Sequence, residues 1–381
     1  MPGALVPRPA LLAALRERAL RPAPLLLAGP PGAGKTTLLA WLAGELERQG
    51  AAPVYLDLFG AASSPAAFVE AALDALPAGR FAERLGEAQA LRSLAAAGRA
   101  QAAEAVLGVL RLLAALEASD GRPVVLLLDE PTEIRSLAYF KGLREVQAAL
   151  ADALSRRRSG TVVATSFPTQ STAFLPFERQ DVAPLSAAEI GAVVPGPRGR
   201  DLLRGSFGWA YAVRALAETG GDVRAAWQHE MQQGGRLEAA CRGTYESLLL
   251  RSRGYGMSKA LLAQVALREG QNLTELYRRV RRSPGATRDY LGWLLGVDVL
   301  RSERKRYFFS DGLLRLWLLL HCRGRLARAR DVEQAAEALF APAGAAEAAL
   351  PEAPEAVGAG AARELAAAAD RLRRDSLIEI D

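Results

Sequence analysis

Gly29-Pro30-Pro31-Gly32-Ala33-Gly34-Lys35-Thr36-Thr37 decides how this chain is read. Four residues separate the outer glycines, and Lys and Thr follow at once, which is the spacing of a phosphate-binding loop. Glycine permits the backbone angles that turn successive N–H groups inward around an anion. A helix starting near Lys35 adds the positive end of its dipole. Lys35 is then placed to reach the β- and γ-phosphates of ATP, and the Thr36 hydroxyl to ligate Mg²⁺. The context agrees. Pro24-Leu25-Leu26-Leu27-Ala28 reads as a buried strand running into the loop, and helical spacing continues behind it to about Arg48.

Moving outward, residues 9–20 show helical apolar spacing and Pro53 to Leu58 reads as a second strand. Pro65 to Ala118 is Ala/Leu-rich and helical, with Gly79, Gly86 and Gly98 expected as breaks. Pro123-Val124-Val125-Leu126-Leu127-Leu128-Asp129-Glu130 is an apolar run ending in carboxylates. Beside a phosphate-binding loop, Asp129 is expected to hold Mg²⁺ through water and Glu130 to polarise the attacking water. Strand-end carboxylates also serve as ordinary helix caps, so it is the loop that gives this pair its meaning. Glu130 separates hydrolysis from mere binding. A helix over about 139–156 should end at Arg156-Arg157-Arg158, a run read as capping it electrostatically, before Gly160 to Ser166 forms another buried strand. Strands alternating with helices specify a parallel sheet covered on both faces, an α/β fold.

The 381 residues suit two or three packed units, and 50% hydrophobic with 24% charged is the composition of a globular chain with a core. Leu313 to Leu320, interrupted by Arg315, is the longest apolar candidate and falls short of the ~18 residues a membrane span needs. Nothing near Met1 reads as an export signal. Cys241, Cys322, His229 and His321 form no ligand-spaced cluster, which argues against structural zinc and disulfides and for a reduced, cytoplasmic protein. Net charge is +6, unevenly spread: Arg251 to Arg330 holds 18 Lys or Arg against 6 Asp or Glu. Arg outnumbers Lys 44 to 4, a coding bias that does not explain why positive charge collects in one region. An acidic body with a basic module suggests a polyanionic partner.

That module has its own texture. After Pro184 the chain is helical to about Leu250; residues 255–321 then read as three helices followed by a ribbon of Val299-Leu300-Arg301 and Arg306-Tyr307-Phe308-Phe309. Three helices and a ribbon describe a winged helix-turn-helix, expected to place Arg278, Arg279, Arg281 and Arg282 on its second helix, Thr287, Arg288 and Tyr290 on its third, and Arg301, Arg304, Lys305 and Arg306 on the wing. One Arg on the third helix means phosphate contacts should dominate any binding to double-stranded DNA. The expected domains are 1–184 (nucleotide core), 185–250 (helical lid), 251–330 (winged helix) and 331–381 (linker and tail). Ala/Pro/Glu/Gly-rich residues 341–362 make the linker, and Leu377-Ile378-Glu379-Ile380 could dock on a protein partner as an added strand.

These residues resemble the STAND and AAA+ branch of P-loop ATPases. Leu5-Val6-Pro7-Arg8-Pro9 through Leu38-Leu39-Ala40-Trp41-Leu42 is similar to STAND-type bacterial regulators, and Tyr307-Phe308-Phe309-Ser310-Asp311-Gly312-Leu313-Leu314-Arg315-Leu316-Trp317 to the end of the winged helix in archaeal-type STAND ATPases. The resemblance implies a P-loop NTPase sheet sandwiched by helices, a helical lid and a winged helix. It implies that Thr165 or Ser166 senses the γ-phosphate, that Val182-Ala183-Pro184-Leu185-Ser186 opens the lid, and that Arg224 contacts the γ-phosphate. It also implies that Arg179 acts as a finger on a neighbour's nucleotide in a homo-oligomer. The Gly-x-Pro of STAND proteins is replaced by Gly205-Ser206-Phe207-Gly208-Trp209, without the proline. The implied activity is a slow, Mg²⁺-dependent ATPase switch that binds ATP, hydrolyses it to ADP and controls DNA association or assembly. The alternative is a nucleotide-gated protein-interaction switch, a signalling or defence scaffold whose winged helix braces the core instead of touching DNA.

Overall fold

A computed structural model describes residues 8–76, 85–116, 121–322 and 327–341. Leu5 to Pro7, Gly79, the linker beyond Ala341 and the tail at Leu377 to Ile380 lie outside the described residues. The chain packs as two units divided between Val193 and Val194.

The first unit runs α1 (Pro9–Ala19), β1 (Leu25–Ala28), α2 (Lys35–Arg48), β2 (Ala52–Asp57), α3 (Leu58–Ala61), α4 (Pro65–Asp74), α5 (Leu85–Ala96) and α6 (Arg99–Ala114). It continues with β3 (Val124–Asp129), a 3-10 segment Pro131–Tyr139, α7 (Val146–Ser155), β4 (Thr161–Thr165), α8 (Pro168–Thr172), β5 (Glu178–Asp181) and α9 (Ala187–Val193). The strands form one sheet in the order β2-β3-β4-β1-β5, every pair parallel. Leu25 to Leu27, Val124 to Leu128 and Val162 to Ala164 are buried throughout. Strands covered on both faces must be apolar on both, so these read as continuous runs and not alternations. Here the expected α/β fold and the P-loop NTPase sheet flanked by helices are what the chain adopts.

The structure departs from the sequence reading in four places. The helix expected over 139–156 begins only at Val146, because Pro131 and Gly142, at φ 88°, hold the preceding segment in a 3-10 turn and a loop. Gly86 does not break the chain but sits inside α5, whereas Gly98, at φ 151°, does separate α5 from α6. Glu178–Asp181 forms an unforeseen fifth strand: its polar sequence has no apolar signal, and it exists through its pairing with β1, Leu25 opposite Glu178. Within the Arg156-Arg157-Arg158 run expected to cap the helix, Arg156 is the exposed C-cap of α7, whereas Arg157 turns inward. Arg157 is 4% exposed, donating through Nε to Thr161 Oγ1 at 3.0 Å, through one terminal nitrogen to the Leu113 carbonyl, and through the other to Ser159 Oγ at 2.6 Å. It ties the end of α6 to the strands rather than facing water.

The second unit comprises α10 (Pro197–Ser206), α11 (Ala210–Glu218), α12 (Val223–Met231), α13 (Arg236–Arg251), α14 (Tyr255–Leu267), β6 (Gln271–Asn272), α15 (Leu273–Val280) and α16 (Pro284–Gly296). β7 (Leu300–Glu303), β8 (Arg306–Phe309), α17 (Gly312–His321) and α18 (Ala329–Phe340) complete it. Asn272 and Glu275 form a capping box on α15, Ser283 caps α16, and Asp311 caps α17 through Leu313 and Leu314 N–H. β6, β8 and β7 make an antiparallel sheet beside these helices. The Trp209 indole donates to Asp311 at 2.7 Å, pinning α11 to the start of α17. α18 packs on α10 and α12, with Phe340 edge-on to Trp227 at 6.4 Å, so the boundary expected at 330/331 runs through a packed helix. Among the described residues no helix is long and apolar enough to cross a membrane.

Candidate active site

The phosphate-binding loop leaves the carboxyl end of β1, and its conformation explains its glycines. Gly32 and Gly34 lie at φ 78° and 93°, in the left-handed region where a side chain is strained. A Cβ on Gly29 would meet the Val182 carbonyl at 3.0 Å, so the loop passes tightly against the chain leaving β5. Gly29 N–H donates to Thr165 O at 3.2 Å and Val182 N–H to Ala28 O at 2.7 Å, which fixes both neighbours of the loop. Gly34 is the N-cap of α2, and Lys35, Thr36 and Thr37 form its first turn.

Lys35 is 4% exposed and donates from Nζ to the Pro30 carbonyl at 2.9 Å and to Ser166 Oγ at 2.9 Å. Ser166 in turn donates to Glu130, from its backbone N–H to Oε2 at 3.0 Å and from its hydroxyl to Oε1. Glu130 sits at φ 50°, a left-handed conformation for a side-chain-bearing residue, and this backbone carries the carboxylate past the strand end toward Ser166. Lys35, Ser166 and Glu130 therefore form one hydrogen-bonded chain, buried at Lys35 and Ser166 and half-buried at Glu130. Burial lowers the Lys35 pKa against the opposing fields of Glu130 and Asp129. It raises that of Glu130, opposed first by the Lys35 charge and then by the Ser166 hydrogen bonds.

Asp129 is 3% exposed and accepts at Oδ2 from Thr36 Oγ1 at 2.6 Å and from Tyr55 OH at 3.3 Å. Its Oδ1 is buried with no hydrogen-bond partner among the described residues. Unpartnered buried carboxylate oxygens are costly, and a hydrated divalent cation beside Thr36 is the group that would satisfy this one. The residues present thus fit Mg²⁺. Burial raises the Asp129 pKa, with the Thr36 hydrogen bond the largest opposing influence.

The other expected residues each have partners of their own. Thr165 Oγ1 pairs with Ser171 Oγ at 2.6 Å and accepts Phe167 N–H at 3.0 Å, so its hydroxyl is outside the Lys35 network while Ser166 is inside it. Arg179 forms a surface ion pair with Asp181 at 2.7 Å. Arg224 belongs to the second unit, where it pairs with Glu337 of α18 at 3.2 Å. Two residues to which sequence reasoning gave no role stand out. Tyr55 reaches Asp129, and Arg8, 6% exposed, donates to the Ala183 carbonyl at 2.6 Å, anchoring the segment that touches Gly29. The one sequence signal for Tyr55 is its spacing of two from Asp57, which β2–β3 register sets opposite Asp129.

In the second unit, Arg278, Arg279, Arg282, Arg288, Arg304 and Lys305 are exposed and have no carboxylate in ion-pair range among the described residues. Arg306 donates to the Gly270 carbonyl at 2.6 Å; Arg301 pairs with Glu303 and lies 5.1 Å over the Phe308 ring. Arg304 and Lys305 form the tip between β7 and β8, at φ 49° and 64°.

Against this geometry, residues 8–163 match the family described as an AAA ATPase domain. The Walker-type ATPase of Pyrococcus abyssi is 15% identical with a TM-score of 0.57, the match covering 82% of this chain and 95% of that one, and it shares the fold. Cdc6p from Pyrobaculum aerophilum (14% identity, 89% and 95% covered, TM-score 0.36) and AMPPCP-bound DnaA from Aquifex aeolicus (12%, 74% and 84%, 0.32) are more distant in shape. No curated protein matches by sequence. Loop and sheet order together define a P-loop NTPase fold, and residues 8–163 are similar to an AAA ATPase domain.

Proposed function

We propose that the chain is an ATP-binding, slowly hydrolysing switch of the STAND/AAA+ type, whose nucleotide state controls DNA association or assembly. The observation that carries this is the hydrogen-bonded chain from Lys35 through Ser166 to Glu130. A phosphate-binding lysine, a polar strand-end residue and a carboxylate share one hydrogen-bond path. A γ-phosphate drawn to Lys35 would compete for the ammonium and free Ser166, and with it Glu130, to orient water. Thr36 and Asp129 would hold Mg²⁺, whose charge would offset that of the phosphates when bound.

Residues 255–321 are proposed as the winged helix-turn-helix, with the exposed cations of α15, α16 and the β7–β8 tip as the phosphate-binding face. Fluorescence anisotropy of labelled duplex DNA, with ATP, with ADP and without nucleotide at two salt concentrations, tests this. Binding that depends on nucleotide and falls with salt is expected, and Arg304→Ala/Lys305→Ala/Arg306→Ala should abolish it. Flat traces at low salt in all three conditions would exclude DNA. Glu130→Gln should retain ATP binding and lose turnover by about a hundredfold or more; unchanged turnover would remove Glu130 as the base.

A second reading is a protein-interaction switch whose winged helix does not touch DNA, and packing inside the second unit is compatible with it. The Trp209–Asp311 hydrogen bond and the packing of the Phe207 ring on Gly312 lock residues 255–321 to the helical part of the same unit. Flat DNA traces together with nucleotide-dependent protein capture would favour it.

A further inference from the structure

We propose that Tyr55 is a positioning residue for the cation-binding carboxylate, a role resting on the nucleotide reading above. Register and geometry carry it. β2 and β3 pair in parallel with Tyr55 opposite Leu127 and Asp57 opposite Asp129, so Tyr55, Asp57 and Asp129 share one face of the sheet. From there the phenol reaches forward to the strand end, where its hydroxyl donates to Asp129 Oδ2 at 3.3 Å. Thr36 Oγ1 donates to the same oxygen at 2.6 Å from the first turn of α2.

Two donors arriving from different elements on one oxygen fix both the torsion of the carboxylate and the division of labour between its oxygens. Oδ2 is used by the protein; Oδ1, buried and without a partner among the described residues, is left for the cation's shell. The two donors are not equivalent. Thr36 would also offer its oxygen to the cation, whereas Tyr55 makes no other hydrogen bond among the described residues. Tyr55 is thus the hydroxyl dedicated to aiming Asp129, as outer-shell partners aim metal ligands elsewhere. The flanking Val54 and Leu56 are buried on the opposite face at 0% and 4% exposure, which holds the strand and hence the ring in place.

The test is a titration of the full chain with free Mg²⁺ at fixed mant-ATP, read by fluorescence anisotropy, for the unaltered protein and Tyr55→Phe. The phenyl ring keeps the packing, so only the hydroxyl is removed; thermal melts check that the fold is retained. The expected result is a Mg²⁺ midpoint raised about tenfold in Tyr55→Phe, with equal mant-ATP affinity in EDTA and recovery at saturating Mg²⁺. In an Asp129→Asn background the same substitution should produce no further shift. An unchanged midpoint overturns the proposal. So does an equal loss of affinity in EDTA and in Mg²⁺, or a full shift persisting without the Asp129 carboxylate. If the unaltered protein binds no mant-ATP at any Mg²⁺ concentration, the nucleotide reading itself falls, an outcome distinct from all three.

Discussion

Lys35 Nζ lies 2.9 Å from Ser166 Oγ, joining the phosphate-binding loop to the end of a strand 131 residues away in sequence. This contact separates the roles of its two members. Lys35→Ala should weaken ATP binding by about 2–3 kcal/mol, the value of a charge-assisted hydrogen bond, measured by calorimetry. Ser166→Ala leaves its backbone N–H on Glu130 and should affect binding little while slowing turnover about tenfold. Equal losses of binding in the two variants would refute that separation.

Asp129 links the site to stability. Burial raises its pKa, so the ionised form is the strained one in the folded protein. Its contribution to stability is whole below the ordinary value of 3.8 and is lost as pH rises through the raised value. Without nucleotide or metal, Asp129→Asn should therefore raise Tm at pH 7.5, by roughly 2–4 °C for each 1 kcal/mol regained, and the gain should shrink toward pH 4. A pH-independent difference would show that the charge is not its cause.

Arg157 makes the opposite prediction. Its guanidinium is buried with hydroxyl and carbonyl partners, and burial lowers its pKa to about 10. Arg157→Met would strand the Leu113 carbonyl and the Thr161 and Ser159 hydroxyls, costing about 3 kcal/mol in urea-induced unfolding. A loss below about 0.5 kcal/mol would return the residue to the solvated class.

The basic face predicts a salt law. Should duplex DNA bind, Arg304→Ala/Lys305→Ala should reduce the slope of log K against log salt by about 2, near 0.9 for each phosphate contact removed. An unchanged slope would place the phosphates elsewhere.

The parts readable from the sequence were those with a local signal. The loop spacing, the apolar runs ending at Ala28 and Asp129, and the three helices and ribbon of residues 255–321 all carry their pattern within a few neighbours. The parts missed depend on distant ones. Glu178–Asp181 becomes a strand only beside β1, and Arg157 turns inward because carbonyls from α6 and β3 converge on it. The choice of Ser166 over Thr165 follows from which hydroxyl faces Lys35, and Thr165 is claimed by Ser171. Tyr55 acquires its partner through register, which no single strand encodes.

The tip of the β7–β8 hairpin has a consequence for how that sheet moves. Both of its central residues, Arg304 and Lys305, occupy the left-handed region, the arrangement of a type I′ turn in which Asn-Gly is favoured. A side-chain-bearing residue there gives up about 1 kcal/mol or more of local preference. The hairpin keeps two like charges at its apex against that preference and against their mutual repulsion. Its amide groups should consequently exchange with solvent sooner than those of the buried parallel strands, through brief openings that leave the helices intact. Any anion that bridges the two cations would quiet those openings, so the hairpin's breathing is itself a readout of what it touches.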